Sequence, residues 1–124
     1  MRCARLAACF AALAILILMP VELNAAGALA TGRCGAFGYA FDDVSPEVAA
    51  TRARAQCKGR ECKVVTSFRR TCAALAIDGN NACGAHGWAR AENLARAQNI
   101  ASEQCHRHGG RNCVIRAWVC DAKG

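Results

Sequence analysis

The chain is written twice, and this duplication constrains its fold more than any other feature. CGAFGYA at residues 34–40 returns as CGAHGWA at residues 83–89. Around each copy the same order recurs: an apolar segment, a turn-forming stretch, the heptapeptide, an Ala- and Arg-rich segment closing in cysteine (Cys57, Cys105), a short loop, another cysteine (Cys62, Cys113) and a β-branched run. Two units that share order and spacing share elements, so one reading serves both.

Each unit reads as β-β-α-β. Residues 27–30 and 73–77 are short apolar strands, followed by Thr31-Gly32-Arg33 in one unit and Asp78-Gly79-Asn80-Asn81 in the other. Glycine takes positive φ freely and Asp tolerates it, so both stretches read as hairpin turns with the heptapeptides as return strands. Glycine packs no side chain in a strand. Gly35, Gly38, Gly84 and Gly87 therefore mark a bulge or a close backbone approach. Ser45-Pro46-Glu47 starts a helix, with an oxygen to cap free N–H groups, a proline where its missing donor costs nothing, and an acid near the positive dipole end. This helix is predicted to run to about Lys58 and stop at Gly59, with Ala50, Ala53 and Cys57 facing inward. A second helix, residues 91–107, places Leu94, Ala97, Ala101 and Cys105 on one face and stops at Gly109-Gly110. Cys62, Val64, Thr66 and Phe68 alternate with Lys63, Val65, Ser67 and Arg69 as a half-buried strand, which residues 113–119 repeat. The predicted class is α+β: internally duplicated β-β-α-β units, residues 27–70 and 71–120, forming a mostly antiparallel sheet with two helices on one face.

Residues 1–26 read as a secretory signal peptide, since Arg2 and Arg5 precede an uncharged run from Leu6 to Met19. That run is shorter than the roughly 20 residues a bilayer requires, so no transmembrane segment is expected. Cleavage is expected after Ala25 or Ala26, leaving residues 27–124 as a single secreted or periplasmic domain. Leu6-Ala7-Ala8-Cys9 looks like a lipoprotein box, but it stands ahead of the apolar run instead of at its end, so lipidation of Cys9 is not expected.

Of the 10 cysteines, Cys3 and Cys9 leave with the leader. An even number remains in a small exported chain, which reads as a disulfide framework. Cys57 with Cys62 and Cys105 with Cys113 would clamp each helix end to the next strand; loops this short add about 2 kcal/mol each in the chain-entropy model. In a duplicated fold, equivalent residues near the internal two-fold axis face each other, which pairs Cys34 with Cys83. Cys72 with Cys120 follows by elimination.

Residue types capable of chemistry are present but form no recognisable constellation. His86, Cys105, His106, His108 and Cys113 are of zinc-binding type, yet oxidised cysteines cannot ligate, and His106 and His108 splay at a helix end. No odd cysteine is left as a nucleophile, and Ser45, Ser67 and Ser102 lack an elbow. Asp42, Asp43, Glu47, Glu61, Asp78, Glu92, Glu103 and Asp121 fall mostly at turns and helix surfaces. Neither a metal nor another cofactor is expected, and no enzymatic activity. The formal net charge is +7, but the arginines are scattered over several elements, and Tyr39, Trp88 and Trp118 read as packing residues. The charge points to solubility and attraction to anionic polymers instead of nucleic acid.

The Ala-Leu-Ala strand, the Gly-[Tyr/Trp]-Ala return strand, the Ala-rich helix ending in cysteine, CKVVTSFRRTCAALA in the middle and NCVIRAWVC at the end together resemble a bacterial secreted family described as domain of unknown function 4189. The resemblance spans residues 26–120. It implies a small exported bacterial domain without an established activity and transfers no catalytic residue; Cys34 and Cys83 are additions to the usual pattern. The expected function is that of an exported binding module for a protein or an anionic envelope polymer, an inhibitor or immunity-type protein being the sharper version. The alternatives are a structural or stress-related envelope protein and, less favoured, a small envelope hydrolase using its histidines. Should the duplicated motif carry a binding function, His86, Trp88 and Tyr39 are the candidate residues, because Phe37 against His86 is where the two copies differ in kind.

Overall fold

Each unit builds its own three-stranded antiparallel sheet in the computed structural model, which describes residues 25–121. The first unit contains β1 (Ala26–Thr31), β2 (Phe37–Asp43), α1 (Pro46–Gln56) and β3 (Lys63–Phe68). The second contains β4 (Cys72–Asp78), β5 (His86–Ala91), α2 (Leu94–Arg107) and β6 (Cys113–Cys120). Strand orders are β2-β1-β3 and β5-β4-β6, so the opening strand of each unit is central. The expected signal peptide lies outside the described residues, apart from Ala25 and Ala26.

The duplicated β-β-α-β pattern and the α+β class are as the sequence implies, but the strands divide between two sheets instead of forming one, and the helices do not share a face. The two sheets stack face to face, and each helix covers the outer face of its own sheet. Side-chain alternation along the central strands explains this. Ala26, Ala28 and Ala30 of β1 pack with Ala49 and Ala53 of α1 and with Cys57 just beyond its end. Cys72, Ala74 and Ala76 of β4 pack with Ala97, Ala101 and Cys105 of α2. The alternate positions Leu29, Ala73, Leu75 and Ile77 meet between the sheets with Phe68, Ala117 and Val119. A strand apolar on both faces needs two covers, and here one cover is a helix and the other is the opposite sheet.

Small residues set how closely the helices lie. A Cβ added at Gly38 would stand 2.0 Å from the Ala53 carbonyl oxygen and 2.6 Å from the Cys57 nitrogen. At the equivalent Gly87 it would stand 2.4 Å from the Ala101 oxygen and 2.5 Å from the Cys105 nitrogen. The second glycine of each heptapeptide is thus a close helix–strand approach. The sheet irregularities fall elsewhere: between Ala26 and Ala28, where β2 bulges at Phe41-Asp42, between Leu29 and Ala30, and between Leu75 and Ala76. Only the later part of each heptapeptide is strand. Cys34-Gly35 lies in a 3₁₀ turn with both residues at positive φ, 57° and 76°. In the second unit residues 79–85 form the connection: the Asp78 carbonyl accepts from the Asn81 N–H at 3.1 Å, and the Ala85 carbonyl accepts from the Asp78 N–H at 3.0 Å. A tight Asp-Gly hairpin gives way to this longer loop.

Helix boundaries shift for local reasons. The Ser45 hydroxyl caps α1 by accepting from the Val48 N–H at 3.2 Å, with Pro46 in the first turn. α1 ends at Gln56 because Cys57 is extended (φ −75°, ψ 103°) as the chain turns toward Cys62. Its buried residues are Ala49 and Ala53, with Ala49 in place of the expected Ala50, and Cys57 beyond the helix end completes the inward face. α2 starts at Leu94, not Ala91, since Ala91 pairs with Cys72 in the sheet; Asn93 Oδ1 caps it by accepting from the Arg96 N–H at 2.9 Å. Gly109, at φ 97°, takes the chain out of α2.

The last residue of the described chain ties the second unit to the first. Asp121 is wholly buried. Its Oδ1 accepts from the Asp42 N–H at 2.7 Å and its Oδ2 from the Arg70 N–H at 3.3 Å. Asp42 and Arg70 have φ of 54° and 53°, a left-handed conformation that a non-glycine residue holds only when its surroundings enforce it. One carboxylate therefore secures two corners of unit one.

Two substitutions test this architecture by chemical denaturation of the oxidised protein. Gly38→Ala and Gly87→Ala should each lower stability by about 1–3 kcal/mol, seen as a lower denaturation midpoint at unchanged slope, because the new methyl meets helix backbone that cannot rotate away. Asp121→Ala should cost about 3 kcal/mol by stranding two N–H groups, with Asp121→Asn intermediate because it keeps one acceptor oxygen.

Candidate functional site

The covalent frame sets where a site can form. Cys57–Cys62 and Cys105–Cys113 join each helix end to the following strand, both with Cα atoms 6.1 Å apart. Cys72–Cys120 links directly paired positions of β4 and β6. Cys34–Cys83 joins the two units and is the solvent-exposed bridge, whereas Cys72 and Cys105 are wholly buried. All eight cysteines of the described chain are thus oxidised, and none is available as nucleophile or ligand.

Two openings flank the inter-sheet core. One, of about 280 Å³, lies beside the Cys34–Cys83 bridge; Arg33, Glu61, Lys63 and His86 reach it above a floor of Leu75 and Ile77. Arg33 and Glu61 are 3.9 Å apart there as a solvent-exposed ion pair, a contact of little energetic weight. The other is a groove of about 510 Å³ between β2 and β6, lined by Phe37, Tyr39, Phe41, Arg116, Trp118 and the strand around them.

The β2–β6 groove has the character of a binding surface. Phe37, Tyr39 and Phe41 occupy alternate positions of β2 and so project from one face. Phe37 and Tyr39 stack 6.3 Å apart and within 3° of parallel. The Arg116 guanidinium lies 5.4 Å from the Phe37 ring centroid, close enough for cation–π attraction. Its Nε also donates toward the Gly35 carbonyl at 3.5 Å. Phe41 is 50% exposed and Trp118 is 52% exposed, so of the core or sheet-face packing expected of Trp118 the core is excluded. β6 is an outer strand of its sheet, and Trp118, paired with Ala74, takes that residue's helix-facing side at the strand's margin, whereas Ala117 and Val119 face between the sheets. Large aromatics grouped in an open groove mark interaction surfaces.

The second unit does not repeat this groove. Register equates Tyr39, opposite Leu29, with Trp88, opposite Leu75, and Phe37, opposite Thr31, with His86, opposite Ile77; alignment of the two copies carries Phe41 onto Arg90. On that side the Arg90 guanidinium donates to the Ser67 carbonyl at 2.9 Å and straps β5 to β3. Trp88 is left 38% exposed, on a sheet face and not in the core.

The candidates His86, Trp88 and Tyr39 are consequently not brought together. His86 borders the opening beside Cys34–Cys83, Tyr39 lies in the β2–β6 groove, and Trp88 is outside both. Phe41, Arg116 and Trp118 were missing from the sequence-level candidates; the signal was the alternation Phe37-x-Tyr39-x-Phe41. Among the carboxylates, Asp121 is committed to backbone N–H groups and buried Asp43 pairs with the Arg52 guanidinium. Among the described residues no group of three or more His, Cys, Asp or Glu side chains is arranged to hold a metal ion. None of the described helices is long and apolar enough to cross a membrane.

A family model described as domain of unknown function (DUF4189) matches residues 26–120. The chain belongs to this family. The match opens on the first residue of β1 and closes on the last of β6, so the DUF4189 unit coincides with the complete pair of sheets, both helices included. No curated protein and no solved structure matches the chain. The order in which this DUF4189 domain loses its bridges follows from their exposure. Graded phosphine reduction followed by alkylation and peptide mapping should label Cys34 and Cys83 first and Cys72 and Cys105 last, because reduction requires access to the sulfur.

Proposed function

We propose that this DUF4189 domain is an exported, non-enzymatic binding module whose β2–β6 groove takes an extended, apolar and acidic segment of a partner protein. The observation that carries this reading is the open aromatic row Phe37, Tyr39 and Phe41, with Arg116 over the Phe37 ring and Trp118 at the rim. Two outer strands flank the groove, and an extended segment can hydrogen-bond to a strand edge while its alternate side chains, spaced like those of β2, meet the rings. Arg116 is the charged residue of the lining, and the excess of Lys and Arg over Asp and Glu favours an acidic partner and speeds its approach. Four bridges and the glycine-seated helices hold the groove rigid, which lowers the entropy cost of binding. Such a module suits an inhibitor or immunity-type protein that blocks a partner enzyme. The disulfides agree with a secreted or periplasmic destination.

A photoreactive amino acid placed at position 41 or 118 in the producing cell tests the groove against the same label at position 96 on α2. Groove labels should give one protein adduct that position 96 does not, with the cross-linked peptide rich in acidic and apolar residues. Adducts to a glycan instead would favour the envelope-polymer reading, and identical adducts from all three positions would defeat both. Phe41→Ala with Trp118→Ala should weaken partner binding by about 2 kcal/mol or more while changing the unfolding free energy by no more than about 0.5 kcal/mol, since both rings are half in water.

Ala26 pairs with Asp43 and is wholly buried. Of the two expected cleavage bonds, the one after Ala25 leaves β1 intact, and mass spectrometry of the exported protein should find Ala26 as its first residue.

A further inference from the structure

His106 and His108 leave the end of α2 in different directions. His106 Nδ1 lies 3.0 Å from the Gly110 carbonyl. His108 swings across to β5, where its Nδ1 lies 2.6 Å from the carbonyl of His86. The His86 and His108 rings are then 6.2 Å apart between centroids, tilted by 51°, and both residues are exposed. We propose that His86 and His108 form a surface site for a borderline divalent cation, Zn²⁺ or Cu²⁺, with water completing its coordination.

Three independent features support the site. A carbonyl oxygen can only accept, so the 2.6 Å contact places the proton of neutral His108 on Nδ1 and leaves the Nε2 lone pair free. Anchoring of one imidazole nitrogen on a carbonyl is the outer-shell arrangement that fixes the tautomer and orientation of metal-ligating histidines. The spacing fits: with metal–nitrogen bonds of about 2.0–2.1 Å, two imidazoles sharing one ion have centroids about 5–6.4 Å apart, and exposed rings can close the remainder by small side-chain rotations. His108 is also the C-terminal cap of α2, and the last turn of a helix presents carbonyl oxygens and the negative end of its dipole, which favours a cation. The first unit has Phe37 where the second has His86, so the site exists once. Imidazole pairs bind Cu²⁺ more tightly than Zn²⁺ and have little affinity for Mg²⁺ or Ca²⁺. The oxidised cysteines offer no competing thiolate.

The test is calorimetric titration of untagged, fully oxidised protein with zinc chloride, paired with NMR of the three histidine rings. One ion per chain should bind, with ring signals of His86 and His108 shifting and those of His106 unmoved. His86→Ala and His108→Ala should each weaken binding by about tenfold or more, while His106→Ala should leave it intact. All three residues are exposed, and unchanged circular dichroism would show that the variants remain folded. Copper(II) chloride should bind the same site more tightly, with magnesium chloride silent. Absence of zinc binding, shifts centred on His106, or binding that persists in the His86→Ala/His108→Ala double variant would overturn the proposal.

Discussion

The structure depends on two central strands, β1 and β4, that are buried on both faces and assign a different size of side chain to each. Leu29, Leu75 and Ile77 fill the space between the sheets, while Ala26, Ala28 and Ala30 and their counterparts Ala74 and Ala76 face the helices. Large residues on the inner side give the sheets something to bury against each other. Alanine on the outer side lets helix backbone come down almost to strand backbone, a distance that Gly38 and Gly87 reduce to the limit. A chain this short cannot fill a wide core, and this division lets it make a thin one with close packing on every layer.

Covalent and polar ties then hold two such units in one relation. The Cys34–Cys83 bridge closes one end, with a sequence separation of 49, and a loop of that size contributes roughly 4 kcal/mol in the chain-entropy model. Elsewhere Asp121 reaches from beyond β6 to the backbone at Asp42 and Arg70. These ties also break the internal symmetry. Arg90 straps β5 to β3, whereas the corresponding side between β2 and β6 stays open around Phe41 and Trp118. The repeated heptapeptide therefore marks a repeated fold, and the two copies diverge chemically: aromatic on one side, histidine and arginine on the other.

Much of this was legible in residues. The repeat set the order β-β-α-β, Ser45-Pro46 marked the start of α1, and Gly109 marked the end of α2, because caps and glycine stops act over a few neighbouring residues. The glycines at 38 and 87 could be read as backbone approaches, though not toward which element. The boundaries that moved were those where a tertiary contact outweighed local preference: Cys57 leaves the helix to meet Cys62, and Ala91 stays in the sheet opposite Cys72. The candidate groove was less visible. Phe37, Tyr39 and Phe41 alternate in sequence, but nothing local says whether an alternating face meets a core or water.

Sequence by itself determined the duplication, the element types, the cysteine framework and the family, since each rests on short-range pattern or on spacing that repeats. Tertiary structure alone decided that six strands form two stacked sheets, that Trp118 stands in solvent beside Phe41, and that His108 crosses to His86 while His106 turns back to Gly110. The physical reason is the same in each case. Alternation shows that a strand has two faces, but which surface covers each face is settled by long-range packing, where the size of Leu29 and Leu75 and the smallness of the intervening alanines find their only mutual fit.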